Sequence, residues 1–245
     1  MRIAAVGDIH AGMDSAPLIR AAVEHLRGRA DILVVAGDLT QHGSVEEAQV
    51  VARELARLEL PMFAVLGNHD YHMGAEQAIS ATLEDAGVRV LEGKAVVCDV
   101  DGVRVAVAGV KGFGCGFAGA CGTEFGEPEM KLFVRRSRES GEQLARALAT
   151  ADANLHVALT HFSPVKDTLL GERPEIHPFL GSFFLADAID QGPCDVAFHG
   201  HAHNGTEWGL TAGGVPVRNV ARFVLRAAYK VYELDPAAPP GSRLR

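Results

Sequence analysis

Asp, His and Asn recur in five short runs of this chain: Gly7-Asp8-Ile9-His10, Gly37-Asp38, Gly67-Asn68-His69-Asp70, Thr160-His161 and Gly200-His201-Ala202-His203. Neutral imidazoles and carboxylates bind first-row divalent metals. Asp8 and His10 are two residues apart, as are His201 and His203, so on a strand each pair would share a face and reach one ion. Asp38 could supply a carboxylate shared by two ions, and Asn68 a neutral carbonyl oxygen. With His161 the candidate ligands number seven, on five chain segments. That is too many for one tetrahedral ion and suits a two-metal site. Ligation by His, Asp and Asn without thiolate suits Mn, Fe, Zn or Ni. Singly, each signal is weak: Asp8 or Asp38 alone reads as a cap or turn residue, and His161 alone as an interior histidine. The runs at 67–70 and 200–203 are harder to dismiss, because they set polar groups beside apolar strands, where burial is costly without partners.

The elements that must position these residues are legible from the pattern around them. Most of the runs follow an apolar, β-branched stretch: RIAAV, ILVVA, MFAVL, HVAL and DVAF. This places the site at the carboxyl ends of strands, where open α/β sheets bind ligands. Strands at 2–7, 31–37 and 62–66, with helices at 15–29 and from Ser44 to about Leu58, form a βαβαβ run and a mostly parallel sheet. Ser44 and Glu47 have the spacing of a capping box. After a helix at about 75–86, two apolar runs flank Asp101-Gly102, a hairpin signal that makes the sheet system mixed. A Gly-rich loop at 111–127, a helix at 128–151, a strand at 155–160 and a proline-bearing loop at 162–181 follow. A helix at 182–190, a strand at 195–199 and a terminal hairpin or pair across 215–233 complete the domain. Residues 1–234 are expected to form one domain, and 235–245 a flexible tail.

At 245 residues the chain is long enough for a sizeable core. A net charge of -8, from 23 basic and 31 acidic residues, argues against non-specific binding to a nucleic-acid backbone. No apolar run reaches the roughly 18 residues of a membrane span. The opening MRIAAVGD lacks the parts of a signal peptide, so a cytoplasmic location is expected. The four cysteines contain no C-x-x-C pair, which argues against a ribbon-type zinc site. Cys115 and Cys121 read as reduced loop residues rather than a redox pair.

In order, GDIH, GD, GNHD, H and GHAH resemble the motifs of the calcineurin-like metallophosphoesterases over residues 7–203. The resemblance implies an α/β fold, a four-layer αββα sandwich of two mixed sheets flanked by helices. It implies that Asp8, His10 and His203 bind one metal, that Asn68, His161 and His201 bind the other, and that Asp38 bridges them. It makes His69 the catalytic residue that contacts the phosphate and protonates the leaving oxygen, after attack by a metal-bridging hydroxide. Asp70 either orients His69 or is a turn residue. GDLTQHG and GNHD depart from the GDxVDRG and GNHE forms of the protein serine/threonine phosphatases. They look more like the small bacterial enzymes and the class III cyclic-nucleotide phosphodiesterases.

The implied activity is two-metal-dependent hydrolysis of a small phosphorylated substrate, a phosphodiester ahead of a phosphomonoester. A non-catalytic metal-binding interaction module on the same fold and a nuclease are the alternatives. A module would be expected to lose ligands or His69, all present here, and the acidic balance weighs against nucleic acid. The loops at 111–127 and 163–181 are expected to wall the substrate. Arg135, Arg136, Arg173 and His177 could bind a distal anion, and Phe113, Phe117 and Phe125 could stack on a base. Solvated charges and a small loop core are the plainer readings. His42 and His72 read as solvated, and His199 as a satisfied buried histidine.

Overall fold

The computed structural model describes residues 1–239 and 241–244. Its first half alternates strand and helix: β1 (Arg2–Val6), α1 (Ala16–Leu26), β2 (Ile32–Ala36), α2 (Val45–Leu55), β3 (Met62–Val65), α3 (Glu76–Asp85) and β4 (Val88–Val90). The chain then crosses to a second sheet through β5 (Lys94–Val100) and β6 (Val103–Val110). The β5–β6 turn falls on Asp101-Gly102 as expected, both with positive φ (52° and 80°), the backbone that a two-residue hairpin turn demands.

A small hairpin of β7 (Gly116–Phe117) and β8 (Ala120–Cys121) interrupts the glycine-rich loop, and α4 (Pro128–Thr150) leads to β9 (Leu155–Thr160). Short 3-10 turns, a one-turn helix α5 (His177–Leu180) and α6 (Phe183–Gln191) follow. The chain ends with β10 (Val196–His199), β11 (Trp208–Leu210), β12 (Pro216–Asn219), the short α7 (Arg222–Leu225) and β13 (Lys230–Glu233).

The two large sheets run β13-β1-β2-β3-β4 and β11-β12-β10-β9-β6-β5. Interior strands pair in parallel, while β13, β11 and β5 add antiparallel edges. Both sheets are mixed. The expected terminal pair across 215–233 is therefore corrected. β12 lies parallel beside β10 in one sheet, and β13 pairs with β1 in the other. Apolar runs close in sequence suggest a local pair, but β12 is taken up between β11 and β10, and β13 forms the edge beside β1.

Strand alternation explains the layering. Ala4, Val6, Leu33, Val35, Met62 and Ala64 pack with Ile19, Val23, Val51 and Leu83 of α1–α3. Their neighbours Ile3, Ala5, Ile32, Val34, Phe63 and Val65 turn the other way and meet Val105, Val107, Val157, Leu159, Val196 and Phe198 of the second sheet. The far face of that sheet, through Ala108, Ala158 and Ala197, packs on Leu144, Leu148, Leu185 and Ile189 of α4 and α6. The interior strands β2 and β3 are apolar and buried on both faces, as parallel strands covered on both sides must be. The order is helix, sheet, sheet, helix, the four-layer arrangement expected.

In the tail, Arg243 donates to both carboxylate oxygens of buried Asp195, at 3.0 and 2.9 Å, and to the Asn154 carbonyl. Pro240 and Arg245 lie outside the described residues. Among the described residues no helix is long and apolar enough to cross a membrane.

Candidate metal centre

All five polar runs lie at the carboxyl ends of parallel strands, and both sheets present them at the same end of the sandwich. The Gly7 N–H donates to the Val220 carbonyl (2.8 Å), the Val220 N–H to His199 (2.7 Å), and the Gly200 N–H to His161 (3.1 Å). The first bond ties the two sheets together where the polar side chains begin, and the other two hold the ends of β12, β10 and β9 side by side. Bare glycine backbone permits the closeness. A Cβ on Gly67 would overlap the Asp38 carboxylate, and one on Gly200 would overlap that of Asp8.

Asp8 and His10 do not share a strand face, because β1 ends at Val6. That expectation is corrected: a left-handed backbone at both residues (φ 58° and 47°) turns the side chains inward instead. Asp38 and His201 also have positive φ, 50° and 70°. Such backbone costs of order 1–3 kcal/mol per non-glycine residue and persists where its surroundings over-determine it, often at functional sites. Asp101 and Arg226 are the other non-glycine examples among the described residues.

Asp8, His10, Asp38 and His203 each bring a donor atom within 4.8 Å of the others, and Asp38, His161 and His201 do the same. Asp38 belongs to both groups. Asn68 joins the second, its Oδ1 2.9 Å from His161 Nε2. All seven sequence candidates are thus brought together. His161 Nδ1 lies 2.8 Å from the Ala36 carbonyl, which fixes the tautomer that leaves Nε2 as an acceptor facing Asp38 Oδ1 at 3.4 Å. His10 Nε2 and His203 Nε2 stand 3.4 Å apart and converge on Asp8 and Asp38.

Charge makes the fit specific. Asp8 and Asp38 are buried, and their ion-pair partners among the described residues are imidazoles alone. Buried charges are paired or coordinate metals, and the donor set around these two, imidazole, carboxylate and amide oxygen, suits divalent transition-metal binding. Burial works against the Asp8 carboxylate, but the hydrogen bond with His203, the nearby imidazoles and the His201 N–H outweigh it and hold its pKa below the usual range. Burial pushes His10 down to about 4 and His201 to about 3, so both rings are neutral at pH 7. For His203, burial is outweighed by Asp8 and Asp38, which raise it.

His69 stands beside this cluster. Its N–H donates to Asp38 Oδ1 (2.8 Å), and its Nδ1 lies 2.7 Å from the Gln41 carbonyl. Nε2 then faces the centre, 4.0 Å from Asp38 Oδ2. The residue that orients His69 is Gln41, through its backbone, and not Asp70. Buried Asp70 accepts from the N–H groups of Leu39, Thr40 and Gly67 and from the Thr40 hydroxyl. It clasps the loop after β2 to the loop after β3, so the turn reading holds.

His199 is a satisfied interior residue, bonded to Thr168 Oγ1 and the Gly200 carbonyl, each at 2.8 Å. His42 pairs with Glu47, whose carboxylate takes the His42 N–H and ring, and the Glu47 N–H donates to Ser44 Oγ at the start of α2. The loops at 111–127 and 163–181 are tied together through the Gly181 carbonyl, which accepts from Cys115 and Gly116. Phe117 is buried in their small shared core, Phe125 is 87% exposed, and Arg138 is paired with Glu124. Arg136 and Phe113 line a cavity of about 570 Å³ next to Asn68.

Sequence reasoning missed three parts of the site. The Gln41 carbonyl is a backbone group, which no side-chain motif reveals. Phe223 stacks on His203 with ring centroids 4.5 Å apart, although it lies far along the chain. Lys111 follows β6, whose end carries no ligand motif, yet its carbonyl accepts the N–H groups of both His161 and Phe162.

Residues 1–205 match the family model described as calcineurin-like phosphoesterase. An Aquifex aeolicus (strain VF5) protein described as an uncharacterized metallophosphoesterase is 38% identical over 102 residues, 39% of this chain. That alignment spans only 38% of the relative's length. Among solved structures, the phosphopantetheinyl hydrolase PptH from Mycobacterium tuberculosis superposes with a TM-score of 0.67 at 16% identity, over 98% of each chain. A Staphylococcus aureus protein titled a putative 5'-nucleotidase gives 0.59 at 16% identity, over 96% of this chain and 51% of that one. At such identities these two structures establish a shared fold alone.

Proposed function

The chain belongs to the calcineurin-like phosphoesterase family, and on that premise we propose that it is a two-metal-dependent hydrolase of a small phosphodiester. The observation that carries the reading is Asp38, whose carboxylate is common to two converging donor groups. Asp8, His10 and His203 would hold one ion with Asp38, and Asn68, His161 and His201 the other. Bound there, two divalent ions would lower the pKa of water and offset charge on the phosphoryl oxygens. The identity of the ions is left open among Mn, Fe, Zn and Ni by the donor chemistry.

This chain's own residues then do the rest. The Gln41 carbonyl and Asp38 hold the His69 ring in place, with Nε2 toward the reacting group. From there His69, as the imidazolium, would donate its Nε2 proton to the departing ester oxygen and be left neutral with Nδ1–H on the Gln41 carbonyl. Cavities open on two sides of Asn68. One, of about 340 Å³, is lined by Gln41, His42, His69 and His72; the other is the larger cavity bounded by Lys111 and Phe113. Room on both sides favours a phosphate with two organic arms, the leaving one beside His69. The intact donor set and His69 weigh against a non-catalytic module, and the net charge of -8 against a nuclease.

The test is turnover of bis-p-nitrophenyl phosphate, p-nitrophenyl phosphate, cyclic nucleotides and single-stranded DNA with added Mn²⁺. Diester turnover is expected to exceed that of the monoester. His69→Ala should keep both ions and lose about 10²–10⁴-fold in kcat. Full metal loading with no turnover of any substrate would sink the reading.

A further inference from the structure

Lys111 is the least explained charge near the centre. Its ammonium lies 4.9 Å from the Tyr71 ring centroid, 5.1 Å from Phe113 and 5.0 Å from Phe162. Phe162 in turn lies 4.4 Å from the His201 ring, so one side chain walls both the cavity and the metal centre. Among the described residues Lys111 has no carboxylate at ion-pair distance, and neither has Arg136, which lines the same cavity. On the same helix, Arg138 and Arg146 do have partners, Glu124 and Glu142.

Of the cavity's acids, Glu92 accepts the N–H groups of Leu66 and Lys111; burial raises its pKa, and its charge acts on the Lys111 ammonium only from beyond ion-pair distance. Glu139, on α4, is exposed. An ammonium held by three rings and shielded from water attracts an anion more strongly than a solvated one. Two cations of different shape, a point charge and a planar fork, suit a dianion such as a phosphoryl group.

We propose that this cavity is a subsite for the retained arm of the substrate, in which Lys111 and Arg136 hold a second phosphoryl group while Tyr71 and Phe113 pack the organic part that joins it to the reacting phosphate. The inference rests on the phosphoesterase reading above. It narrows the substrate class to phosphodiesters that carry a further phosphate on the arm that does not leave.

The experiment compares two chromogenic diesters, the p-nitrophenyl ester of thymidine 5'-phosphate and the same ester with a 3'-phosphate. In both, p-nitrophenolate leaves. The wild-type protein with Mn²⁺ should show a kcat/KM ratio of at least about tenfold in favour of the 3'-phosphorylated ester, the effect of one or two charge-assisted hydrogen bonds. Arg136→Ala and Lys111→Ala should each cut that ratio about tenfold, mainly through KM, and Lys111→Arg should restore part of it. Arg136 is exposed, so its variant carries the test if Lys111→Ala does not fold. A wild-type ratio near one, or a ratio that neither variant moves, overturns the subsite and leaves the phosphoesterase reading standing. A wild-type protein inert on both esters overturns that reading, and the subsite with it.

Discussion

Asp38 is the residue on which the two donor groups meet, and it carries more than ligation. One of its oxygens takes the His69 N–H, so the same carboxylate ties the metal centre to the proposed proton donor. Asp38→Asn should therefore weaken both ions together, by about tenfold or more each, as read by metal titration of the apoprotein; loss of one ion alone would contradict the shared role. Asp70 makes a contrasting case. It gathers four donors from two loops inside the protein. Asp70→Ala leaves those donors without a partner, and we expect a loss of about 2–4 kcal/mol in urea unfolding. If Asp70 instead acted through His69, the same variant would keep its stability and lose kcat.

Elements explain why glycine precedes Asp8, Asp38, Asn68 and His201. Strand ends from two sheets converge on a space only a few atoms wide, and a Cβ at Gly200 would sit on the Asp8 carboxylate. Gly200→Ala should thus displace Asp8 and empty the site it serves, while far-UV circular dichroism stays close to wild type; retained metal affinity would show that the strands can part at little cost. These motifs made the site readable from sequence, because each fuses a buried strand to a polar end. The alternation of Ile3, Ala5, Ile32 and Val34 with their neighbours made the layers readable too. Less was legible where long-range partners decide. The end of β1 looked like a strand carrying Asp8 and His10 on one face, but left-handed backbone places them. β12 and β13 looked like a terminal hairpin or pair, yet each found a different sheet. Lys111 carries no motif of its own, and only the pairing of β6 with β9 brings it to His161.

On the scale of the whole molecule, the two sheets share one interior, and that interior stands directly behind the site. Phe198 of β10 is fully buried and lies 5.1 Å, ring to ring, from Tyr232 of β13, so a strand of each sheet contributes to one contact. Ile3, Ile32 and Phe63 from the first sheet fill the same layer as Val107, Val157 and Val196 from the second. Neither sheet could leave without exposing this layer, which argues for one cooperative unit over both. The single tryptophan, Trp208, lies on β11 at the edge of the second sheet, so its fluorescence reports that sheet. Far-UV circular dichroism reports the helices on both faces. In metal-free protein the two signals should follow one urea transition. Phe198→Ala should shift that transition by about 3–5 kcal/mol without splitting it. Two separated transitions, with fluorescence moving apart from dichroism, would mean that the sheets unfold as independent units and that the metal centre, rather than the shared core, holds them together.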